Sequence, residues 1–175
     1  YVQFPMLSSG SMNEGIQKLH ISPGIAGRHS ARRGFDFPLH EHTEWEFVFY
    51  TRGRVSIHQG DEVFEAAAGD LVLTPPGTPH SEHAITDYAN IFMQVFAPAE
   101  MPWSTVVHDD RSGALGRVME QILIEDLAEL KMRGLLMEQL ELLLNRFMLR
   151  NNETSSRWRL VVEAERRLRD RFAEP

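Results

Sequence analysis

Two periodicities divide this chain. From about Ile16 to Phe96 it is a series of short β-prone segments separated by Gly, Pro and Asp; after Pro98 and Pro102 apolar residues recur at helical spacing. The strongest segment, Trp45–Thr51, is apolar on both faces, with Glu46, Val48 and Tyr50 opposite Trp45, Phe47 and Phe49. A strand of that kind must be covered on two sides. Gly53 turns it into Arg54–Gln59, and Gly60-Asp61 makes a tight turn into Val63–Ala67. Gly69-Asp70 precedes Leu71–Thr74, Pro75-Pro76-Gly77 makes the next turn, and Pro79–Ala84 and Ala89–Phe96 complete the series. Many short strands at this spacing predict an antiparallel sandwich or barrel.

The second part predicts helices. Leu115, Val118, Met119, Ile122 and Leu123 form one stripe, and Leu136, Leu140, Leu143 and Phe147 form another, flanked by Leu135, Leu142 and Leu149. A helix so broadly apolar needs two covering surfaces, the barrel and a partner subunit. A polar linker follows at 151–156, then a charged amphipathic helix carrying Trp158, Val161, Val162, Leu168 and Phe172. The expected organisation is therefore a barrel over 1–98, a helical segment over 99–150, the linker, and a further helix over 157–175.

Composition narrows the function. The 175 residues contain no cysteine, which removes disulfides and thiolate ligands. The formal charge is −7; residues 157–171 carry +3, so the remainder carries −10. A body so acidic is a poor partner for phosphates, and any DNA contact belongs at the C-terminal edge or beyond it. No run is apolar enough to cross a membrane: Leu135–Leu149 is interrupted by Glu138, Glu141 and Arg146. The opening Tyr-Val-Gln-Phe-Pro lacks the charged start and apolar core of a secretory signal, so the expected address is the cytoplasm.

His40, His42, Glu46 and His80 are the candidate site. Three imidazoles and a carboxylate are the ligands a divalent transition metal takes, here Zn, Ni, Fe or Mn. The first three differ by even numbers, which on one extended strand puts them on one face, with His80 arriving from a second strand behind the Pro-Pro-Gly turn. Without a metal, the same groups make a hydrogen-bonding floor for a sugar or acid. Glu44 shares the parity of Glu46 and is the alternative carboxylate. Tyr50 and Gln94 are candidates to orient a ligand, and Val48 reads as core. His83 reads as a residue at the surface or behind the ligands and His58 as a strand-face residue, while His20, His29 and His108 have no evident partner. Arg28, Arg32 and Arg33 precede the motif, where one could meet an anionic ligand.

The strand region resembles the cupin superfamily. Its first motif (Gly, five residues, His-x-His, three or four residues, Glu, six residues, Gly) is met by Gly34, His40, His42, Glu46 and Gly53. Its second (Gly, five residues, Pro-x-Gly, two residues, His, three residues, Asn) is met by Gly69, Pro75, Gly77 and His80, with Ala84 in place of the Asn. The whole chain is similar to the N-terminal sensor domains of AraC-type transcription regulators. That resemblance implies a cupin barrel (a double-stranded β-helix, or jelly roll) that binds a small effector, and a helical pair that forms a homodimer. The 157–175 helix then looks like the start of a helix-turn-helix DNA-binding domain whose recognition helices would follow Pro175. The same motifs also fit a metal-dependent cupin enzyme, a dioxygenase, isomerase or decarboxylase.

Overall fold

The computed structural model describes residues 21–110, 112–125 and 132–147. Nine strands come first: β1 Ser22–Ala31, β2 Asp36–His40, β3 Trp45–Arg52, β4 Arg54–Gln59, β5 Glu62–Ala67, β6 Asp70–Thr74, β7 His80–Ala84, β8 Tyr88–Phe96 and β9 Val106–His108. Helix α1 spans Ala114–Glu125, and a second helix, α2, includes residues 132–147. The expected strand start at Ile16–His20, the 151–156 linker, the 157–175 helix and Leu149 lie outside the described residues.

The strands form two antiparallel sheets, one in the order β1-β8-β3-β6-β9 and the other β2-β7-β4-β5. Apart from the β4–β5 and β8–β9 steps, successive strands alternate between the sheets, which face each other as a barrel. β3 is central in the first sheet and reaches both cores. Trp45, Phe47 and Phe49 point outward and pack, with Leu71, Leu73, Ile91, Met93 and Val95, under the helices. Val48 and Tyr50 point inward and meet Val55, Ile57, Ala66, Val72, Ala84 and Tyr88 between the sheets.

The outer layer answers the question raised by the helical stripes. Leu115, Val118, Met119 and Ile122 of α1 and Leu136, Met137, Leu140, Leu144 and Phe147 of α2 are buried against the chain's own sheet. Leu135 and Leu142 of the flanking stripe are 55% and 70% exposed. Asp109 secures α1 by accepting hydrogen bonds from the first-turn amides of Leu115 and Gly116 at 3.1 and 2.9 Å. Arg28 on β1 pairs with Glu120 on α1, and buried Arg133 on α2 donates to the Gly24 carbonyl at 2.8 Å. Among the described residues no helix is long and apolar enough to cross a membrane.

β9 falls inside the segment expected to be helical. Its β-branched Val106 and Val107 pair with β6 and extend the sheet before the helices begin. Gly53 shows why the β3–β4 turn needs glycine: φ is +83°, and a Cβ there would stand 2.1 Å from the Asp87 carbonyl oxygen. Ala84, which replaces the motif's Asn, is fully buried in the inner core, and its backbone bonds Gly34 and Phe35.

Candidate functional site

The expectation that His40, His42 and Glu46 share one extended strand is incorrect. β2 ends at His40, residues 41–44 are not strand, and β3 begins at Trp45 in the opposite sheet. A straight strand would set His40 and Glu46 about 20 Å apart. Instead the chain crosses between sheets at the barrel's end, and the crossing brings the side chains together. The Pro75-Pro76-Gly77 turn fixes this bend: Gly77, with φ +68°, donates its N–H to the His42 carbonyl at 2.7 Å. The same turn delivers His80 at the head of β7, directly opposite His40 in the strand register.

One ligand atom from each of His40, His42, Glu46 and His80 lies within 4.8 Å of the others. Two ligand atoms of one tetrahedral zinc are about 3.4 Å apart, so shifts of up to about 0.7 Å per side chain would close the set. The imidazoles are oriented for the task. His40 Nδ1 lies 2.9 Å from the Pro38 carbonyl oxygen, and His80 Nδ1 lies 2.9 Å from that of Thr78. A carbonyl only accepts, so Nδ1 carries the proton in each ring, and the Nε2 lone pair of the neutral ring is free for a metal. His42 Nε2 is buried without a hydrogen-bond partner and stands 3.4 Å from Glu46 Oε1. A buried, unpartnered imidazole nitrogen beside a carboxylate is what a metal ligand looks like before the metal is added.

His80 Nε2 and Glu46 Oε2 are 2.8 Å apart. At that distance the two atoms face a common point, which either a shared proton or a single metal ion can occupy. Burial disfavours charge on Glu46, but the His80 hydrogen bond and the three imidazoles outweigh it and hold the carboxyl below its ordinary value. Burial also pulls His80 down, yet Glu46, the Thr78 carbonyl and Glu82 together leave it raised.

His40, His42 and Glu46 line one end of a cavity of about 320 Å³ between the sheets, and His80 stands beside them in the ligand cluster. Val48, Phe37 and Phe92 line its middle, and Gln94 lies beside the ligands with Nε2 3.5 Å from His42 Nδ1. Farther in are Glu82, Asn90 and His29. Tyr50 does not line the cavity. It is fully buried behind Glu82 and donates its hydroxyl to Glu82 Oε1 at 2.5 Å. Burial raises the Glu82 carboxyl, with the Tyr50 bond pulling the other way. Tyr50 is pushed well above the usual phenol range by burial and by Glu82, and Tyr88, which feels the same carboxylate, moves in the same direction.

The remaining candidates fall elsewhere. Glu44 bonds its neighbour Thr43 and is not among the four clustered ligands. His58 is exposed on β4, exposed His83 faces Asp36 at 2.7 Å, and His108 faces Asp70 at 2.5 Å. Among the described residues no arginine lines the cavity: Arg28 is engaged by Glu120, and Arg32 and Arg33 are exposed. His20 lies outside the described residues. Sequence reasoning missed Glu82, Asn90 and His29. Strand parity held a signal for the first two, since Glu82 shares a face with His80, and Asn90 shares one with Gln94.

Two facing antiparallel sheets, with both histidine motifs at one end of the barrel, define a cupin domain. The family model described as the AraC-like ligand binding domain matches residues 22–144, and the chain belongs to that family. A stretch of 62 residues is 42% identical to acireductone dioxygenase 1 of Nocardia farcinica (strain IFM 10152), covering 33% of each protein, so the match spans about a third of the dioxygenase. Among solved structures, a predicted oxalate decarboxylase from Thermotoga maritima is similar at 23% identity and a TM-score of 0.40, over 43% of this chain and 68% of that one. A cupin superfamily protein from Desulfitobacterium hafniense is similar at 13% identity and a TM-score of 0.39, over 41% of this chain and 65% of that one.

Proposed function

We propose that this domain senses a small effector for a transcription regulator, and that the effector binds in the barrel against a metal held by His40, His42, Glu46 and His80. The observation that carries the reading is the clustering of those four residues, three of them lining one end of the cavity, in a ligand-binding domain. When bound, Zn, Ni, Fe or Mn supplies a Lewis-acidic centre with room for an oxygen from water or effector. The chain's part is to orient three imidazoles through Pro38, Thr78 and Gln94, and to exclude competing polar contacts with Val48, Phe37 and Phe92. Effector binding shifts the domain only as far as its affinities for two arrangements differ.

In this reading the chain acts as a homodimer. Its interface is the face of α2 bearing Leu135 and Leu142, which the chain's own barrel leaves exposed. DNA contact belongs to helix-turn-helix segments following residue 157, and the working compartment is the cytoplasm. Elemental analysis of the purified chain beside a His40→Ala/His42→Ala variant tests the metal: about one equivalent is expected, lost in the variant. No metal in either, even after adding Zn, Ni, Fe or Mn, would leave the histidines as direct hydrogen-bonding groups.

The second reading is a metal-dependent cupin enzyme, favoured by the 42% identity to a dioxygenase over 62 residues. Turnover of a bound small molecule by the metal-loaded chain would establish it. Reversible binding with the molecule recovered intact supports sensing.

A further inference from the structure

The cavity is polar at both ends and apolar between them. Strand register sets Glu46 beside Gln94, then Val48 beside Phe92, then Tyr50 beside Asn90, and β1 places His29 directly opposite Asn90 on its other side. Phe92 pairs with Gly27, where a Cβ would stand 2.6 Å from the aromatic ring, so glycine lets that ring lie over β1. With Phe37 and Val48 the ring forms an apolar belt between the histidine cluster and the inner end. Four residues separate Gln94 from Asn90 along β8, about 13 Å.

The inner end is incompletely satisfied. Asn90 is only 5% exposed and lines the cavity, yet among the described residues nothing bonds its Oδ1; His29 Nε2, also in the lining, is buried and unpartnered. Opposed on neighbouring strands, the two side chains start about 5 Å apart, close enough to hold one group between them. Buried polar atoms normally find partners, so two open positions on one cavity wall point to a ligand. The neighbouring Glu82 already accepts the Tyr50 hydroxyl. An amide carries a donor and an acceptor, and turning it over presents either; an imidazole nitrogen donates or accepts according to its tautomer. A hydroxyl both donates and accepts, so it satisfies the pair in every arrangement. A carboxylate only accepts, and among the described residues no lysine or arginine lines the cavity to balance it. An ammonium only donates, so it suits the pair only when both present acceptors. The belt of Val48, Phe37 and Phe92 offers no partner to hydroxyls in mid-chain, so a polyol is a poor match.

We infer that Asn90 and His29 form a hydroxyl-recognition subsite at the inner end of the cavity. The ligand class is a small acid with one distal hydroxyl. Its carboxylate lies at the histidine cluster, its methylenes or ring against Val48, Phe37 and Phe92, and its hydroxyl between Asn90 and His29. The inference rests on the effector-pocket reading above.

The test is calorimetric titration of the chain, zinc-free and zinc-loaded, with 4-hydroxybutanoate, 5-hydroxypentanoate, 6-hydroxyhexanoate and 4-hydroxyphenylacetate. The unsubstituted acid of each, and the ω-amino acids of the aliphatic lengths, serve as comparisons. At least one hydroxy acid should bind more than tenfold tighter than its own comparisons. Asn90→Leu, which keeps the volume without a polar atom, should abolish that preference and change the unsubstituted acid's Kd less than twofold. His29→Phe, which keeps a ring among Phe35, Phe37 and Tyr88, should reduce the same preference. A cooperative thermal transition shows that each variant is folded, and His29→Phe carries the test if Asn90→Leu is not. Equal binding of hydroxy and plain acids by the parent chain overturns the subsite while leaving effector binding in place. Tighter binding of the amino acids assigns the inner end to a cation and overturns it as well. A preference that survives both substitutions, or an equal weakening of all probes by them, also overturns the proposal. No binding by any probe overturns the subsite and counts against the pocket reading too.

Discussion

The two faces of β3 are built from alternate residues of one strand and do opposite work. The outward face, Trp45, Phe47 and Phe49, is sealed by aromatic and aliphatic packing; Trp103 lies edge-on to both Trp45 and Phe47, with ring centroids 5.0 and 5.3 Å away. The inward face, Glu46, Val48 and Tyr50, carries a carboxylate and a phenol; Glu46 and Val48 line the cavity, and Tyr50 is buried behind it. Apolar burial on the outside stabilises the sheet, and that stability lets the inside hold polar groups in an incompletely satisfied state. The difference teaches where to look for function in such a barrel: on the face where packing is incomplete.

The comparison breaks most visibly on the outer face. Phe47→Ala removes a fully buried ring from the helix-covered core and should cost about 3–5 kcal/mol of folding stability. Urea unfolding measures it. Metal binding should be lost only in proportion to the unfolded fraction. If the folded variant also lost its metal affinity, the two faces would not be separable. Across the cavity from the inner face, on β2, His40→Ala should do the reverse, weakening zinc binding more than about a hundredfold while changing metal-free stability by about 1 kcal/mol or less. Because the imidazoles bind in their neutral form and Glu46 as the carboxylate, protons compete with zinc, and zinc affinity should fall as pH falls. Competition titration against a chelator at two pH values reads both effects.

How legible this was in the sequence differed between the faces for a physical reason. The β-prone run Trp45–Thr51, apolar on both faces, and the helical spacing in Leu115–Ile122 are local signals, and both reappear in the fold. The four candidate ligands were also legible, because their spacing matches a known pair of motifs. The path that assembles them was not: even spacing suggests one strand, whereas a four-residue crossing over 41–44 carries the chain between sheets. Glu82, Asn90 and His29 become neighbours of the cavity through strand pairing between residues about 25 to 60 apart in sequence, which no local pattern reports. Three-residue β9 was hidden for a similar reason, since only its partner β6 makes it a strand.

Between the faces in size of effect stands Tyr50→Phe. It removes the hydroxyl that donates to Glu82 and leaves a buried carboxylate with one donor fewer, so stability should fall by about 1–2 kcal/mol. Zinc affinity should stay within about twofold, because Tyr50 touches none of the four ligands. A larger loss of zinc would mean that the inner polar cluster and the metal end act as one unit. Thermal unfolding with and without zinc distinguishes the outcomes.

The smallest effect on the folded chain, and the sharpest on its assembly, is expected at Leu142. This side chain sits 70% exposed on α2, on the opposite side from Leu140 and Leu144, which are fully buried against the barrel. A glutamate there removes no packing within the chain, so Leu142→Glu should change unfolding stability by less than about 0.5 kcal/mol at concentrations where the chain is monomeric. If α2 joins two subunits, the same change buries a charge without a partner at the interface, and sedimentation should show dimer giving way to monomer. A dimer that survives both Leu142→Glu and Leu135→Glu would move the interface off this helix face. The exposed leucines would then be ordinary surface residues, as isolated apolar side chains often are.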